Sequence, residues 1–483
     1  MPKIIDMDAL KIREDSARSM EPSKTLRKEW DQKSCEVIQD FFTNLADIPT
    51  FQNDTNFQPT DLGNPLGEKS DFDTCLKNLA KTFSSAGIQT AGAGHLGFIP
   101  GGGLHVAALA DYLAASFNHF SADSFASPAA VAIHNQVIAW LCKTVGYSEN
   151  AAGDITSGGT HATLEAFTTA RHSLDVKAKD FSKFVVYASA HTHHCYRKVL
   201  DIVFGGEASI HLIPCKDARM DPEALLEQIK TDIYEGLRPG IVISSAGTTN
   251  LGVIDPIEKI ADVAQEFDLW LHVDGAYGGF FSMTEIAKDK FRGLSRADSI
   301  ILDPHKGMFL PYGAGAVLIK DAYKMQASFG EMNFADYLQD RSHSISDLSP
   351  MDYTLELTRP FRSLRLWLAL KVHGEDSYKL ALEEKLLLAQ YAADRISNIE
   401  GLSLVNRPEL SVFAFKCDED PTGNKTQELL KKLNLSGEVF LSSTKVEDVF
   451  VIRVAILSHR THKDKIDQLI SLLERFTTGE GHE

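Results

Sequence analysis

The sequence predicts an α/β fold whose core is a mostly parallel sheet, and three observations carry that expectation. Between about residues 150 and 320, short apolar runs alternate with stretches of helical periodicity. The runs are apolar at successive positions, the pattern of strands buried on both faces. Polar residues able to do chemistry stand where several runs end, which is where open parallel sheets hold their ligands.

Taken in order, residues 1–90 form a polar N-terminal segment with helical stretches such as Ser34 to Leu45. It is too poor in apolar runs to bury a core alone. Asn53 to Glu68, rich in Asn, Asp, Thr, Pro and Gly, reads as an irregular loop. Residues 91–365 form the large domain. It opens on a glycine-rich loop, Gly92 to Gly103, followed by a helix over Leu104 to Phe117. Strands are expected at Phe184–Tyr187, Ser209–Ile213, Ile241–Ser244, Leu269–Val273, Ser299–Leu302 and Ala316–Ile319, with helices at Pro222–Tyr234 and Pro256–Phe267 between them. Residues 366–483 form a small α+β domain. It contains a long helix over Lys379–Ile396, strands at Ser411–Phe415 and Val449–Ala455, and a last helix. Thr461–Asp464 is expected to cap that helix, and Ile466, Leu469, Ile470 and Leu473 to form its buried stripe.

The composition, 43% hydrophobic and 24% charged over 483 residues, is that of a folded chain of two or three domains. A net charge of −17 argues against sequence-independent nucleic-acid binding, which needs a basic surface. No run of eighteen apolar residues suggests a membrane span, and the N-terminus lacks the apolar core of a signal peptide. Six scattered cysteines without a CxxC pair read as reduced, so a cytoplasmic location is expected.

The chemistry concentrates around Ser299 to Lys320, read as strand, lysine-bearing turn, strand. Lys306 sits where two buried segments meet. Loss of hydration there favours a neutral, nucleophilic amine, as needed to form an imine with an aldehyde such as pyridoxal phosphate. A lone lysine at a strand end with its amine in water is the plainer alternative. Upstream, the run Leu269–Val273 ends at Asp274, a carboxylate that is costly to bury unpaired. A protonated pyridine nitrogen would pair it, and Ala276 with the glycines after it would let a flat ring approach the backbone. A helix-capping Asp is the alternative. Ser157, Gly158, Gly159 and Thr160 open a helix and offer an anion site of backbone N–H groups and hydroxyls, suited to a phosphate. An ordinary Thr-capped helix would look the same. His191, His193 and His194 could suggest a metal cluster, but carboxylate or cysteine ligands at a recognisable spacing are missing, so no metal is expected.

His272-Val-Asp-Gly-Ala-Tyr277 and Asp303-Pro-His-Lys306 together resemble the signature of the group II pyridoxal-phosphate-dependent amino-acid decarboxylases, the aromatic L-amino-acid decarboxylases among them. The similarity runs from about Gly94 to His459. It implies a fold-type I transferase architecture with a seven-stranded sheet, pyridoxal phosphate as cofactor, and a homodimer whose N-terminal segment packs across the partner. It also implies that Lys306 carries the cofactor, Asp274 holds its ring nitrogen, and Ser157 to Thr160 hold its phosphate. His193 would stack on the ring, with His191 a rival two residues away. Thr248 would present a hydroxyl to the cofactor, unless it belongs to a simple polar turn. Asp303 and His305 flank the lysine, His305 near phosphate or substrate.

Phe98, Ile99 and Pro100 fall where the family lines its substrate pocket, although they could equally anchor the loop to the core. Tyr337, within a flap of about 328–349, matches the tyrosine that returns a proton to the α-carbon; relatives with Phe there tend toward aldehyde formation. Arg362 would support that loop or the partner's phosphate site. Two departures stand out: His161 replaces a common Glu, and Ala91–His95 replaces an aromatic-rich run. The implied activity is decarboxylation of an aromatic L-amino acid. An acidic or diamino substrate, a carbon–carbon lyase or an aldehyde synthase are the alternatives. A non-catalytic binding scaffold would be expected to have lost Lys306, Asp274 or the phosphate loop.

Overall fold

The computed structural model describes residues 6–53, 58, 62–83, 86–329 and 349–477. The chain divides into two units, Met1–Gly92 and Ala93–Glu483. In the first unit, helices span Met7–Arg18, Lys24–Asn44 and Phe72–Phe83. Asp6 and Ser23 cap the first two through their side-chain oxygens. None of the three helices carries a buried residue. Contact between the second and third rests on a Trp30–Phe72 stack at 4.9 Å and a Lys33–Asp73 ion pair at 2.7 Å. Part of the Asn53–Glu68 loop lies outside the described residues.

The second unit is built on seven strands: β1 Ala152–Thr156, β2 Phe184–Ser189, β3 Ser209–Ile213, β4 Arg238–Ser245, β5 Trp270–Gly275, β6 Ser299–Leu302 and β7 Gly315–Ile319. Their order across the sheet is β1-β7-β6-β5-β4-β2-β3. β7 runs against both its neighbours, and every other adjacent pair is parallel. The exception has a simple cause. β6 and β7 are joined by a short helical turn, Pro304–Gly307, and a loop, with no long helix to carry the chain back for a parallel return. Each expected strand is present within two residues, apart from the earlier start of β4. β1 was not expected, because Gly153 and Asp154 interrupt its apolar pattern.

Both faces of this sheet are covered. Val185, Tyr187, Val242, Leu271, Val273, Ile300 and Leu302 pack with the helices Pro128–Thr144, Pro222–Tyr234 and Ile257–Glu266. The alternate residues Val186, Ile241, Ile243, Trp270, Ile301 and Val317 pack with Gly159–Ser173 and Cys195–Val203. Successive side chains of a strand point to opposite faces, so a strand buried on both sides is mostly apolar, with Asp154 of β1 and His272 of β5 as buried exceptions. Most polar groups stand at the strand ends.

The same unit contains a four-stranded antiparallel sheet of β8 Leu402–Leu404, β9 Val412–Cys417, β10 Ser442–Val446 and β11 Val449–Ala455, in the order β8-β9-β11-β10. The helices Glu375–Ser397 and Lys463–Thr477 pack on it, burying Ile466, Leu469, Ile470 and Leu473 as the periodicity predicts. The last helix starts at Lys463, inside the segment expected to cap it.

The start of β7 meets the loop after β1 at very short range. A Cβ built on Gly315 would lie 2.4–2.8 Å from the backbone of Gly158. Gly315→Ala should therefore lower stability by about 1–3 kcal/mol through overpacking, read from thermal or urea unfolding. Wild-type stability in this variant would show that the loop yields without cost.

Candidate active site

The carboxyl ends of β1, β2, β4, β5 and β6 surround one cavity of about 610 Å³. Asp274 lies at the end of β5, opposite Ser245 of β4 and Ile301 of β6. Its Oδ1 accepts the Ala276 N–H at 3.1 Å, so the turn-capping contact and the cavity-lining position coexist. Burial raises the pKa of its carboxyl, against the opposing pull of Lys306 and the Ala276 N–H.

Lys306 Nζ lies 2.8 Å from Asp303 Oδ2. Burial pulls the amine's pKa down, but the Asp303 carboxylate more than offsets this and holds it above its ordinary value. This corrects the expectation of an amine favoured in its neutral form. Asp303, expected beside the lysine among the cofactor-binding residues, is its ion-pair partner. The other oxygen of Asp303, Oδ1, is buried with no hydrogen-bond partner among the described residues. His305 Nδ1 donates to the Ala314 carbonyl at 2.6 Å, leaving Nε2 3.8 Å from Asp303.

His191 and His193 both line the cavity, so lining does not separate the two rivals. His193 Nδ1 accepts the Cys195 N–H at 3.2 Å, which places its ring proton on Nε2. Burial, helped by His194 and Lys306, pulls His193 down to about 4, so it is neutral. Among the described residues, no group of His, Cys, Asp and Glu is placed to hold a metal ion. Thr248 is buried, and its Oγ1 accepts the Val253 N–H at 3.1 Å, stabilising the loop while the residue lines the cavity.

Ala276, Gly159, Thr160, Phe98 and Ile99 also reach the cavity. Ser157, Gly158 and Pro100 are not among its lining residues. Ser157 is exposed, with Oγ 3.3 Å from His161 Nδ1, and Gly158 is instead held against Gly315. Tyr337 and most of the expected flap lie outside the described residues. Arg362 pairs with Glu356, with Nη2 3.0 Å from Oε1.

Several lining residues were not anticipated. Arg453, on β11, is buried, and its Nε donates to the Thr249 carbonyl at 2.8 Å. Nη1 donates to the Phe98 carbonyl, while Nη2 has no partner among the described residues. Ser442 Oγ accepts the Phe98 N–H at 3.3 Å. Together they hold Phe98 at φ 51°, a left-handed conformation that costs a non-glycine residue energy. The signal was present in the sequence. Arg453 is a lone charge inside Val449–Ala455, just as Asp274 ends an apolar run.

The residues present fit pyridoxal phosphate on this geometry. An amine, a buried carboxylate, a helix N-terminus at Gly159–Thr160 and the small residue Ala276 share one cavity. Gly159 leaves room where a Cβ would stand 3.2 Å from both Asp303 oxygens. The ion pair generates a pH prediction. Asp303 raises the Lys306 pKa, so removing its charge leaves burial to lower it. Asp303→Asn should move the half-point of cofactor uptake, followed by visible absorbance, to lower pH; an unchanged profile would contradict this assignment.

Residues 66–418 match the pyridoxal-dependent decarboxylase conserved domain. The chain is 31% identical over 383 residues to an aromatic-L-amino-acid decarboxylase of Bacillus atrophaeus, covering 78% of this chain and 79% of that protein. It is 33% identical over 315 residues to an L-2,4-diaminobutyrate decarboxylase of Rhizobium meliloti, covering 64% of this chain and 62% of that one. A crystal structure of Oryza sativa TDC with PLP and tryptamine superposes with a TM-score of 0.87 at 23% identity, over 95% of this chain and 99% of that one. The extent of the domain match and the likeness to the Bacillus protein place the chain in the pyridoxal-dependent decarboxylase family, enzymes that use pyridoxal phosphate to decarboxylate amino acids.

Proposed function

We propose that this enzyme decarboxylates an aromatic L-amino acid to its amine. The observation that carries the reading is the placement of Phe98, Ile99 and Tyr312 in the wall of the cavity that holds Lys306 and Asp274. Likeness to the Bacillus aromatic-L-amino-acid decarboxylase supports it. The unpartnered Nη2 of Arg453 favours a second reading, an acidic amino acid whose side-chain carboxylate that guanidinium would meet. The diaminobutyrate relative keeps a diamino acid in the comparison.

In this reading Lys306 Nζ would hold the cofactor through its aldehyde carbon. Asp274 holds a proton at the ring nitrogen. Neutral His193 would pack on the cofactor's ring, with His191 the rival for that place. The N–H groups and hydroxyl at Gly159 and Thr160 hold the phosphate, with Ser157 and Gly158 shaping that loop from outside the cavity. Thr248 and Ala276 form the floor, and Asp303 and His305 orient Lys306. Pyridoxal phosphate, when bound, supplies the conjugated ring that accepts the electron pair released with CO2. Tyr337 would deliver the proton to the α-carbon.

A homodimer is part of the proposal. Leu109, Tyr112, Leu113 and Phe117 lie along one side of the helix His105–Phe117 and are 39–63% exposed, an apolar stripe that a second copy would cover. Among the described residues no helix is long and apolar enough to cross a membrane, and all six cysteines are free, which supports a cytoplasmic location.

The test is to supply PLP-loaded protein with aromatic, acidic and diamino L-amino acids and to measure CO2 and amine. Equal amounts of both from an aromatic substrate are expected. CO2 only from an acidic or diamino acid would overturn the aromatic assignment, and aldehyde in place of amine would overturn simple decarboxylation. Tyr337→Phe should lower amine yield and raise aldehyde; an unchanged product ratio would remove Tyr337 from its role.

A further inference from the structure

The cavity wall at Phe98 has a second layer behind it. Phe440 lies in the connection between the helix Asn424–Leu435 and β10, and is not among the residues that line the cavity. Its neighbours Val439 and Leu441 are buried in the core of the small sheet. Asn434 fixes this connection: its Oδ1 accepts the Leu441 N–H at 2.8 Å, and its Nδ2 donates to the Leu441 carbonyl at 3.1 Å. Phe440 itself pairs in parallel with His95 of the glycine-rich loop. Its N–H donates to the Gly94 carbonyl and its carbonyl accepts the Leu96 N–H, both at 2.9 Å.

That pairing sets three rings against one another. The Phe440 centroid is 5.8 Å from that of Phe98 and 5.9 Å from that of His95. His95 and Phe98 stand 6.1 Å apart, edge to face. These are separations at which aromatic pairs attract. Gly97 makes the contact possible. A Cβ there would stand 2.7 Å from two carbons of the Phe440 ring, well inside van der Waals contact. Phe98 is 58% exposed, so burial in a core does not fix its ring. Ser442 and Arg453 hold its backbone, and Phe440 and His95 pack on its side chain.

We propose that Phe440 is a positioning residue for substrate selection: by packing on Phe98 it fixes the aromatic wall of the cavity, and so sets how tightly the ring of an aromatic amino acid is held. The inference rests on the reading that Phe98 meets the substrate's side chain. A wall residue already held in place need not be ordered at each binding event, and that saving appears as affinity. Phe440 stands outside the cavity that holds Lys306 and Asp274. Its effect therefore falls on binding of the side chain and not on the bond-breaking step, which raises KM and leaves kcat.

The experiment measures CO2 release from L-phenylalanine, L-tyrosine and L-tryptophan by PLP-loaded wild type, Phe440→Leu, Phe98→Leu and the double variant. Phe440→Leu keeps apolar volume and removes the ring. It should raise KM for the best of the three substrates about three- to tenfold, the worth of one aromatic pair, with kcat little changed. In the Phe98→Leu background the same change should have no further effect on KM, because the residue it acts through is gone. An unchanged KM in folded Phe440→Leu protein, or an equal rise in both backgrounds, would overturn the inference. Should Phe440→Leu fail to fold, Gly97→Ala displaces the ring from the other side and should raise KM in the same way; a wild-type KM there would likewise overturn it. A wild-type KM in Phe98→Leu would overturn the reading of Phe98 itself, and CO2 from none of the three would overturn the aromatic assignment and this inference with it. The failures are thus distinguishable.

Discussion

The Lys306 ammonium lies 2.8 Å from the Asp303 carboxylate, with Asp274 as a second anion acting on it, at the carboxyl ends of two neighbouring parallel strands. Burying these charges separately would be prohibitive, and burying them together is tolerable because each offsets the others. The strands behind them are mostly apolar on both faces, so their ends are where polar groups gather. In the proposed role of Lys306, Asp303 would hold the amine in place at the mouth of the strand ends before the cofactor binds.

Further charges are buried behind the loop Ser157–Thr160. Arg359 pairs with Asp154 of β1, and its Nη2 lies 2.8 Å from His134 Nδ1. The guanidinium outweighs the effect of burial and keeps Asp154 ionised. On the next helix, His161 Nε2 lies 3.3 Å from the buried Glu165, whose carboxyl burial and Asp154 push upward. The Glu-to-His change noted in the sequence therefore does not leave an isolated imidazole at the loop. It creates an acid–imidazole pair one turn apart on the helix Gly159–Ser173 that begins at this loop.

The central sheet was legible because doubly buried strands leave uninterrupted apolar runs, as in Ile241–Ser244 and Ser299–Leu302. β1 was not, since its Asp154 is affordable only through Arg359, some two hundred residues away. β10, Ser442–Val446, was missed because its polar composition carries no apolar run. The motif residues of the site were legible because Asp274, Asp303, His305 and Lys306 stand in short contiguous segments. Arg453 and Ser442 enter the same cavity from the C-terminal sheet, and no local spacing joins them to the rest. The charge state of Lys306 was not legible for a related reason: it depends on the Asp303 carboxylate one helical turn before it as well as on burial.

The central claim is that the amine at 306 is the point of attachment. Reduction of the PLP-loaded protein with borohydride, followed by digestion and peptide mass spectrometry, tests it most directly. The account predicts the pyridoxyl-phosphate mass on the peptide containing Lys306 and on no other. The label on a different lysine, or no covalent label at all, would contradict it.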